Sequence, residues 1–339
     1  MKPSRVLVAI ALVLACGSKD DKAELALTHS AESIADGVAS AVKAAGRTLA
    51  PFHCAELETG TEDDCDIELG SLGVRTATRR GHTIRFSGKR NDDTLVVGVI
   101  ADARGADSET AAALGRFHAQ LVRSGVELVV LLGGMGQGHD ELLPHLELLT
   151  KDERWPVLVI PGDREEIPAL RSAIAAIGGD SAKVLDGSLA RFVVMFVVVL
   201  ATLTGMGHPE RLVSGSLGCV YDRNDADALS ETLTSFEERR VWLSYSPPRS
   251  SSIGGSDVAI GGIHVGDATQ TAAIAASGAT LVLHAAIDEA AIGPAKGASR
   301  LKPGAPIVLG VGSADPLPIT DERGNTIRSV ATIAHIGPK

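Results

Sequence analysis

The sequence predicts an α/β protein, and three observations carry that reading. From Leu95 onward, strand, loop and helix alternate three times, which implies a parallel sheet with helices on its faces. Hydrophobic residues make up 45% of the 339 positions and aromatics only 3%, so Val, Leu, Ile and Ala must build the core. The apolar run in "TLVVGVIADARG", Thr94 to Gly105, ends on one acid, Asp102, in a glycine-bearing turn. In open parallel sheets ligands sit beyond such strand ends.

The N-terminus reads as an export signal. "MKPSRVLVAIALVLAC" has Lys2 and Arg5, an apolar run from Val6 to Ala15, and then Cys16. The run is too short to span a bilayer, which needs ~20 residues. "VLAC" resembles the lipobox of bacterial lipoproteins, so residues 1–15 are expected as a signal peptide and Cys16 as the lipidation site. An ordinary cleaved signal peptide is the alternative. Residues 16–22 then form a polar tether to the membrane, which places the protein at the bacterial cell envelope, facing the periplasm or the exterior. The formal net charge of −10 argues against nucleic acid as a partner.

Residues 23–94 are expected as an N-terminal helix and a small β region. Leu25, Leu27, Ile34, Val38 and Val42 mark the helix, Ala23 to Ala45. In "CAELETGTEDDC", Cys54 and Cys65 are close enough to predict a disulfide, worth about 3 kcal/mol for a short loop. A zinc reading through His53 lacks a second Cys/His pair. Cys219 is left over as a small buried residue.

The main domain is expected over 95–339. Leu95–Ala101 is a strand, and Asp107 caps a helix bearing Leu114, Phe117 and Leu121. "VELVVLL" leads through "GGMGQG" to a helix from about Asp140. "PVLVI" leads through "PGDREE" to a helix from about Ile167. "FVVMFVVVLATL", Phe192 to Leu203, reads as one strand buried on both faces. A helix capped at Asn224 or Asp225 follows. Further strands are expected at Val241 to Arg249, around "DVAIGGIHVGD", at Ala279 to His284, in "PIVLGVGS" and in "TIRSVATIAHI". Ala268 to Ala276 is read as helix.

This order of loops resembles the calcineurin-like metallophosphoesterases over about Leu95 to Ile336. That family shows Asp-x-His after the first strand, Gly-Asp-x-x-Asp/Gly after the second and Gly-Asn-His-Asp/Glu after the third. A His before a Pro-rich turn and a final Gly-His-x-His follow, and together these residues hold two metals. The resemblance implies a layered α/β sandwich with the small disulfide-tied β region before it. Here "ADARG" keeps Asp102 but has Arg104 for the first His, and "LLGGMGQG" has Gly134 for the bridging Asp. "IPGDREE" has Asp163 for Asn and Arg164 for His. "WLSYSPPR" has Tyr245 for the next His, and "LVLHAAIDE" puts Ala286 and Asp288 at the last two.

The substitutions imply a vestigial site. Guanidinium is always charged and cannot ligate a metal. Arg104 and Arg164 are therefore expected to fill the metal positions and pair with Asp102, Asp163 or Asp288. No dinuclear centre is expected, and one cation held by Asp102, Asp163 and Asp288 is the remaining metal reading. Each of the three aspartates also has a plain structural role open to it: salt bridge for Asp102, turn for Asp163, helix cap for Asp288. Alternatively, backbone amides at Gly134 and Gly136 with Arg104 or Arg164 would bind a small anion without metal.

Other motifs fail. His139 and His145 are six apart and point to opposite sides of a helix. "GGMGQG" does not fit the dinucleotide-binding spacing, and neither a P-loop nor a G-x-S-x-G occurs. His264 and His284, at strand ends, read as structural. The expectation is an envelope-anchored binding or scaffold protein, catalytically inactive, whose partner is an envelope protein or a small anion. The alternatives are an active phosphoesterase with a divalent metal on a non-standard site, or a periplasmic anion- or nucleotide-binding protein.

Overall fold

The aliphatic runs pair into two stacked sheets. The computed structural model describes residues 51–54, 66–88, 94–179, 181–251, 255–259, 262–287, 298–300, 306–320, 326–327 and 329–337. The signal peptide, Cys16, the tether, the helix of residues 23–45, Cys65 and Asp288 lie outside these.

In chain order the strands and helices are β1 Phe52–His53, β2 Ile67–Leu72, β3 Arg75–Arg80, β4 Thr83–Ser87, β5 Leu95–Ile100, α1 Ser108–Arg123, β6 Leu128–Leu132, α2 His139–Thr150, β7 Val157–Ile160, α3 Ile167–Ala176 and β8 Val184–Asp186. Then come β9 Phe192–Met195, β10 Val198–Leu203, β11 Cys219–Val220, α4 Arg223–Thr234, β12 Arg239–Ser244, β13 Val258–Ala259, β14 Ile263–His264, α5 Ala268–Ser277 and β15 Leu281–His284. The chain closes with β16 Ala298–Arg300, β17 Ile307–Gly310, β18 Ile319–Thr320, β19 Thr326–Ile327 and β20 Thr332–Ile336.

One sheet has the order β20-β5-β6-β7-β8, with β5 to β8 parallel and β20 antiparallel at the edge. The other has the order β16-β17-β15-β12-β10-β9-β4-β3-β2. Alternation along each strand divides the apolar residues between two faces. Val97, Val99, Val130 and Leu158 of the first sheet meet Ile84, Val193, Leu200 and Leu243 of the second in one core. On the outer face of the first sheet, Val129, Leu131 and Val159 pack against Leu114 and Leu121 of α1, Leu146 of α2 and Leu170 of α3. On the outer face of the second, Val199, Ala201, Trp242 and Val282 pack against Leu229 of α4 and Ile274 of α5. The result is four layers: helices, sheet, sheet, helices.

Local chemistry sets the ends of the elements. The Asp107 carboxylate accepts from the amides of Glu109 and Thr110, the expected cap of α1. Helix α1 lies so close on β5 that a Cβ at Gly98 would run into Leu121. The cap of α4 falls at Asp222, ahead of the expected Asn224 or Asp225, because Asp222 and Asp225 form a reciprocal capping box.

Three expectations change. The run Phe192 to Leu203 is two antiparallel strands, β9 and β10, joined by Phe196 and Val197. Phe196 takes φ 58 in that turn, a conformation that side chains other than Gly, Asn or Asp rarely adopt, so no residue signalled it. Strands β2 to β4, expected ahead of the main domain, continue its second sheet, since β4 pairs in parallel with β9. The disulfide joins Cys54 to Cys219, with Cα atoms 5.5 Å apart, in place of the expected Cys54–Cys65 pair. Its cause is the parallel pairing of β1 with β11, which sets Phe52 opposite Cys219 and His53 opposite Val220 and carries Cys54 over Cys219. Ile167 at the start of α3 seals the bond from water.

The bridge spans 165 positions in sequence. In the chain-entropy model a closed loop of that size stabilises by on the order of 5 kcal/mol. Non-reducing peptide mapping should join the peptides of Cys54 and Cys219. Cys54→Ser should shift the urea midpoint strongly downward, as should reductant added to the unaltered chain.

Candidate functional site

The loops after β5, β6, β7 and β12 meet at the C-terminal ends of the parallel strands. The amides of Asp102 and Arg104 donate to the carbonyls of Gly133 and Gly134, each at 2.9 Å, and the amide of Gly105 donates to Met135 O at 2.8 Å. This ladder forces the backbone into rare conformations: φ is 52 at Asp102 and 51 at Arg104, and 68 and 70 at Gly133 and Gly134. Ala286, beyond β15, has φ 61. Strained non-glycine backbone of this kind clusters at active sites and ligand clamps.

The glycines make room for one side chain. A Cβ at Gly133 would run into the ring of Tyr245, and one at Gly162 would lie 2.6 Å from its Cγ and Cδ2. Tyr245 is thus slotted between two loops and buried, with 3% of its surface exposed. Its hydroxyl donates to Asp102 Oδ1 at 2.8 Å. Burial first, and then the charges of Asp102 and Asp163 beside it, hold the phenol well above its ordinary pKa, so it stays a neutral donor. Burial also raises Asp163, although Tyr245, Arg164 and Arg104 oppose the shift. A Cβ at Gly134 would collide with Asp102 Oδ1, so the place of the bridging carboxylate is closed by the backbone itself.

The charges of Arg164 and Arg104 both act on Asp163. Arg104 Nη1 is 3.7 Å from Asp315 Oδ2, a residue that no sequence motif singled out. The loop after β17 carries Asp315 there: Ala314 N donates to Ala101 O at 2.7 Å and Ser313 Oγ to Asp102 O at 3.1 Å. The Tyr245 phenol is seated directly on Asp102. Arg164, half-buried, acts on Asp163 by its charge. Asp288 lies outside the described residues.

The glycine loop already serves carboxylates of its own chain. The amides of Met135 and Gly162 both donate to Glu165, at 2.6 and 2.7 Å, and Gln137 N donates to Glu141 Oε2 at 2.7 Å. Beside Gly136 there is no room for a Cβ, which would lie 2.6 Å from that of Glu141. Two of the amides flanking Gly134 and Gly136 are therefore taken, which weakens the anion reading. Glu165 has no exposed surface, and burial raises its pKa while the two amides lower it. It stands at the acidic position that closes the third loop pattern, a signal present in "GDREE" and overlooked. His145 Nε2 lies 3.2 Å from Met135 O and braces the same loop.

Two further histidines stand at this end. His264 Nδ1 is 3.0 Å from Asp257 Oδ2. His284 Nδ1 is 3.0 Å from Ala285 O; a carbonyl only accepts, so Nδ1 carries the proton. Burial pushes His284 down to about 4. Elsewhere, ligand atoms of His53, Asp222 and Asp225 lie within 4.8 Å of one another, but Asp222 and Asp225 are the capping box of α4.

No protein-family model and no curated protein sequence matches the chain. Solved structures do. One aligns with a TM-score of 0.50 and 13% identity over 73% of this chain and 100% of its own. The protein TT1561 of Thermus thermophilus aligns at 0.48 and 15%, over 72% of this chain and 99% of that one. A dimetal phosphatase from Danio rerio aligns at 0.46 and 12%, over 73% and 97%. The chain shares its layered α/β fold with the structure that aligns at 0.50. At these identities the likeness extends to the fold alone.

The described crevice does not suit the two-metal centre that the sequence resemblance implies. Gly134 has no carboxylate to bridge, and the Tyr245 hydroxyl already takes Asp102 Oδ1. Arg104, Arg164 and Tyr245 stand where imidazoles would be. Of the described positions that align with family ligands of the first five motif places, Asp102 and Asp163 keep a carboxylate.

Gly134→Ala should cost about 2 kcal/mol or more, from positive φ and the collision with Asp102. Tyr245→Phe should cost about 1–3 kcal/mol by leaving that carboxylate oxygen without its donor. Urea titration measures both. His284 gives a pH dependence of known sign. Its folded pKa of about 4 lies below the unfolded value near 6.5, so between them only the unfolded chain binds the proton. Stability should fall by up to ~1.4 kcal/mol per unit as pH drops through that window, and His284→Asn should flatten the slope in thermal melts.

Proposed function

We propose that this chain is an exported, lipid-anchored protein that uses a metallophosphoesterase sandwich, without phosphoester hydrolysis, as a binding or scaffold module at the bacterial cell envelope. The bond from Tyr245 to Asp102 is the observation that carries this reading. A neutral phenol donating to Oδ1 of the first metal-binding carboxylate occupies that oxygen where a cation would approach, and Gly134 removes the residue that two cations would share. The remaining positive charge, Arg104 and Arg164, faces the carboxylates of its own chain and neutralises them from within.

The envelope assignment rests on the N-terminal sequence, in which the basic start, the apolar run and Cys16 form a lipidation signal. Among the described residues no helix is long and apolar enough to cross a membrane. Attachment is through the lipid, and the partner is an envelope protein or a small anion.

Full-length protein assayed with bis-p-nitrophenyl phosphate and added Mn2+, Fe2+ or Zn2+ should show no turnover above the metal blank. In cells, Cys16→Ser should abolish palmitate labelling and move the protein from the membrane to the soluble fraction. Turnover accompanied by two metal ions at Asp102 and Asp163 would establish the phosphoesterase instead.

A further inference from the structure

The loop that follows β10 gathers an exposed face outside the crevice. Its Val213 amide donates to Asp163 O at 2.8 Å, which sets it at the crevice end of the molecule. Arg211 Nη1 donates to Val265 O at 2.7 Å and so holds the β13–β14 hairpin against the turn Pro209–Arg211. A Cβ at Gly266 would lie 2.6 Å from the Cα of Arg249, so that arginine stands beside the same hairpin. A Cβ at Gly218 would lie 3.0 Å from Leu212 Cδ2, and the amide of Phe52 donates to Gly218 O at 2.9 Å. These contacts string Phe52, Arg211, Val213, Arg249 and Ile263 along one end of the fold.

Three of these side chains are apolar and open to solvent: Phe52 is 40% exposed, Val213 47% and Ile263 63%. Both arginines are exposed, and neither makes an ion pair among the described residues. The acids around them have other partners. Glu210 lies 3.2 Å from His208, Asp257 3.0 Å from His264 and Asp225 3.5 Å from His53, while Asp222 and Asp267 cap helices. A chain of net charge −10 thus turns guanidinium and apolar groups outward together at this end. That combination fits a phospholipid surface, where guanidinium binds phosphate and apolar tips reach the acyl boundary. The path of the chain points to the same occupant. Phe52 stands near the start of the described residues, and Cys54 is bonded to Cys219, on the loop that carries Arg211. A chain held at the membrane through Cys16 therefore enters the fold beside this face.

We propose that the face of Phe52, Arg211, Val213, Arg249 and Ile263 rests on the anionic headgroups of the bilayer, so that the protein lies on the membrane with its crevice end down. The setting rests on the envelope reading above. The contact itself needs no lipid on Cys16, so the two can fail separately. Stable attachment takes two signals, and a basic apolar face supplies the second beside the acyl chain.

The test takes the mature chain from residue 16 with Cys16→Ser, because the apolar run Val6 to Ala15 would enter lipid by itself. It is sedimented with vesicles of phosphatidylglycerol and phosphatidylethanolamine, and with vesicles of phosphatidylcholine alone. Binding should be about tenfold or more tighter to the anionic vesicles and should be released by high salt. Arg211→Gln with Arg249→Gln should weaken it by about tenfold or more, since one arginine at an anionic surface is worth about fivefold. Arg116→Gln with Arg123→Gln, exposed on α1, removes the same charge and should leave binding unchanged. Tryptophan emission of Ile263→Trp should move to the blue on anionic vesicles. That of Val74→Trp, in the β2–β3 turn at the far end of the sheet, should stay. Inorganic phosphate should displace the chain no better than chloride at equal ionic strength. Equal binding to both kinds of vesicle, equal loss in the two arginine pairs, displacement specific to phosphate, or a dimer that buries Ile263→Trp without lipid would each overturn the proposal. The comparison of the two vesicles decides the matter even where a variant fails to fold. Absent palmitate labelling of the unaltered chain would remove the anchor and leave this contact standing.

Discussion

The crevice end of this molecule depends on how closely three loops approach one another. Backbone carbonyls of Gly133 and Gly134 take the amides of Asp102 and Arg104, and the absence of Cβ atoms at Gly133, Gly134 and Gly162 is what lets the chains meet. Tyr245 fits only because of that vacancy, and Asp102 adopts its strained φ only because the ladder holds it. Glu165 fastens the second and third loops with two amide bonds from beneath. Take away the small residues and the acid, the phenol and the ladder all lose their positions together.

The electrostatics follow the same inward logic. Parallel-sheet ends gather unpaired amides and positive potential, which in many α/β proteins are left for a ligand. Here Glu165 and Glu141 take amides of the glycine loop, Asp315 takes Arg104, and the phenol takes Asp102. Charges in a dry site are costly without partners, and these internal pairings offset part of that cost.

The sequence made the repeating architecture readable and left the pairings of single residues hidden. Strands β5, β6 and β7 and their helices announced themselves by aliphatic runs ending in glycine and acid, and Asp107 by its place before the apolar stripe of α1. The hairpin inside Phe192 to Leu203 gave no warning, since its turn is made by Phe196 and Val197, residues that resemble their strand neighbours in hydropathy. Cys65 was the nearest cysteine along the chain, but β1 meets β11, and distance in space rather than in sequence chose Cys219. Arg104 drew attention by its charge, and Tyr245 was named only as a replacement; the reach of a phenol across two glycines is a property of loop spacing, which no local pattern encodes. Glu165 had a local signal, the acid that ends "GDRE", and was passed over because the residues before it had changed.

The bond between Cys54 and Cys219 also sets the route that a mechanical load would follow. Residues 55–218 lie within the covalent ring it closes. A pull applied from the amino end and resisted at the carboxyl end passes through sulfur and enters the fold between β10 and α4, bypassing that whole segment. The backbone of β2 to β8 would then be bypassed, and load would reach β5 only sideways, through its hydrogen bonds to β20.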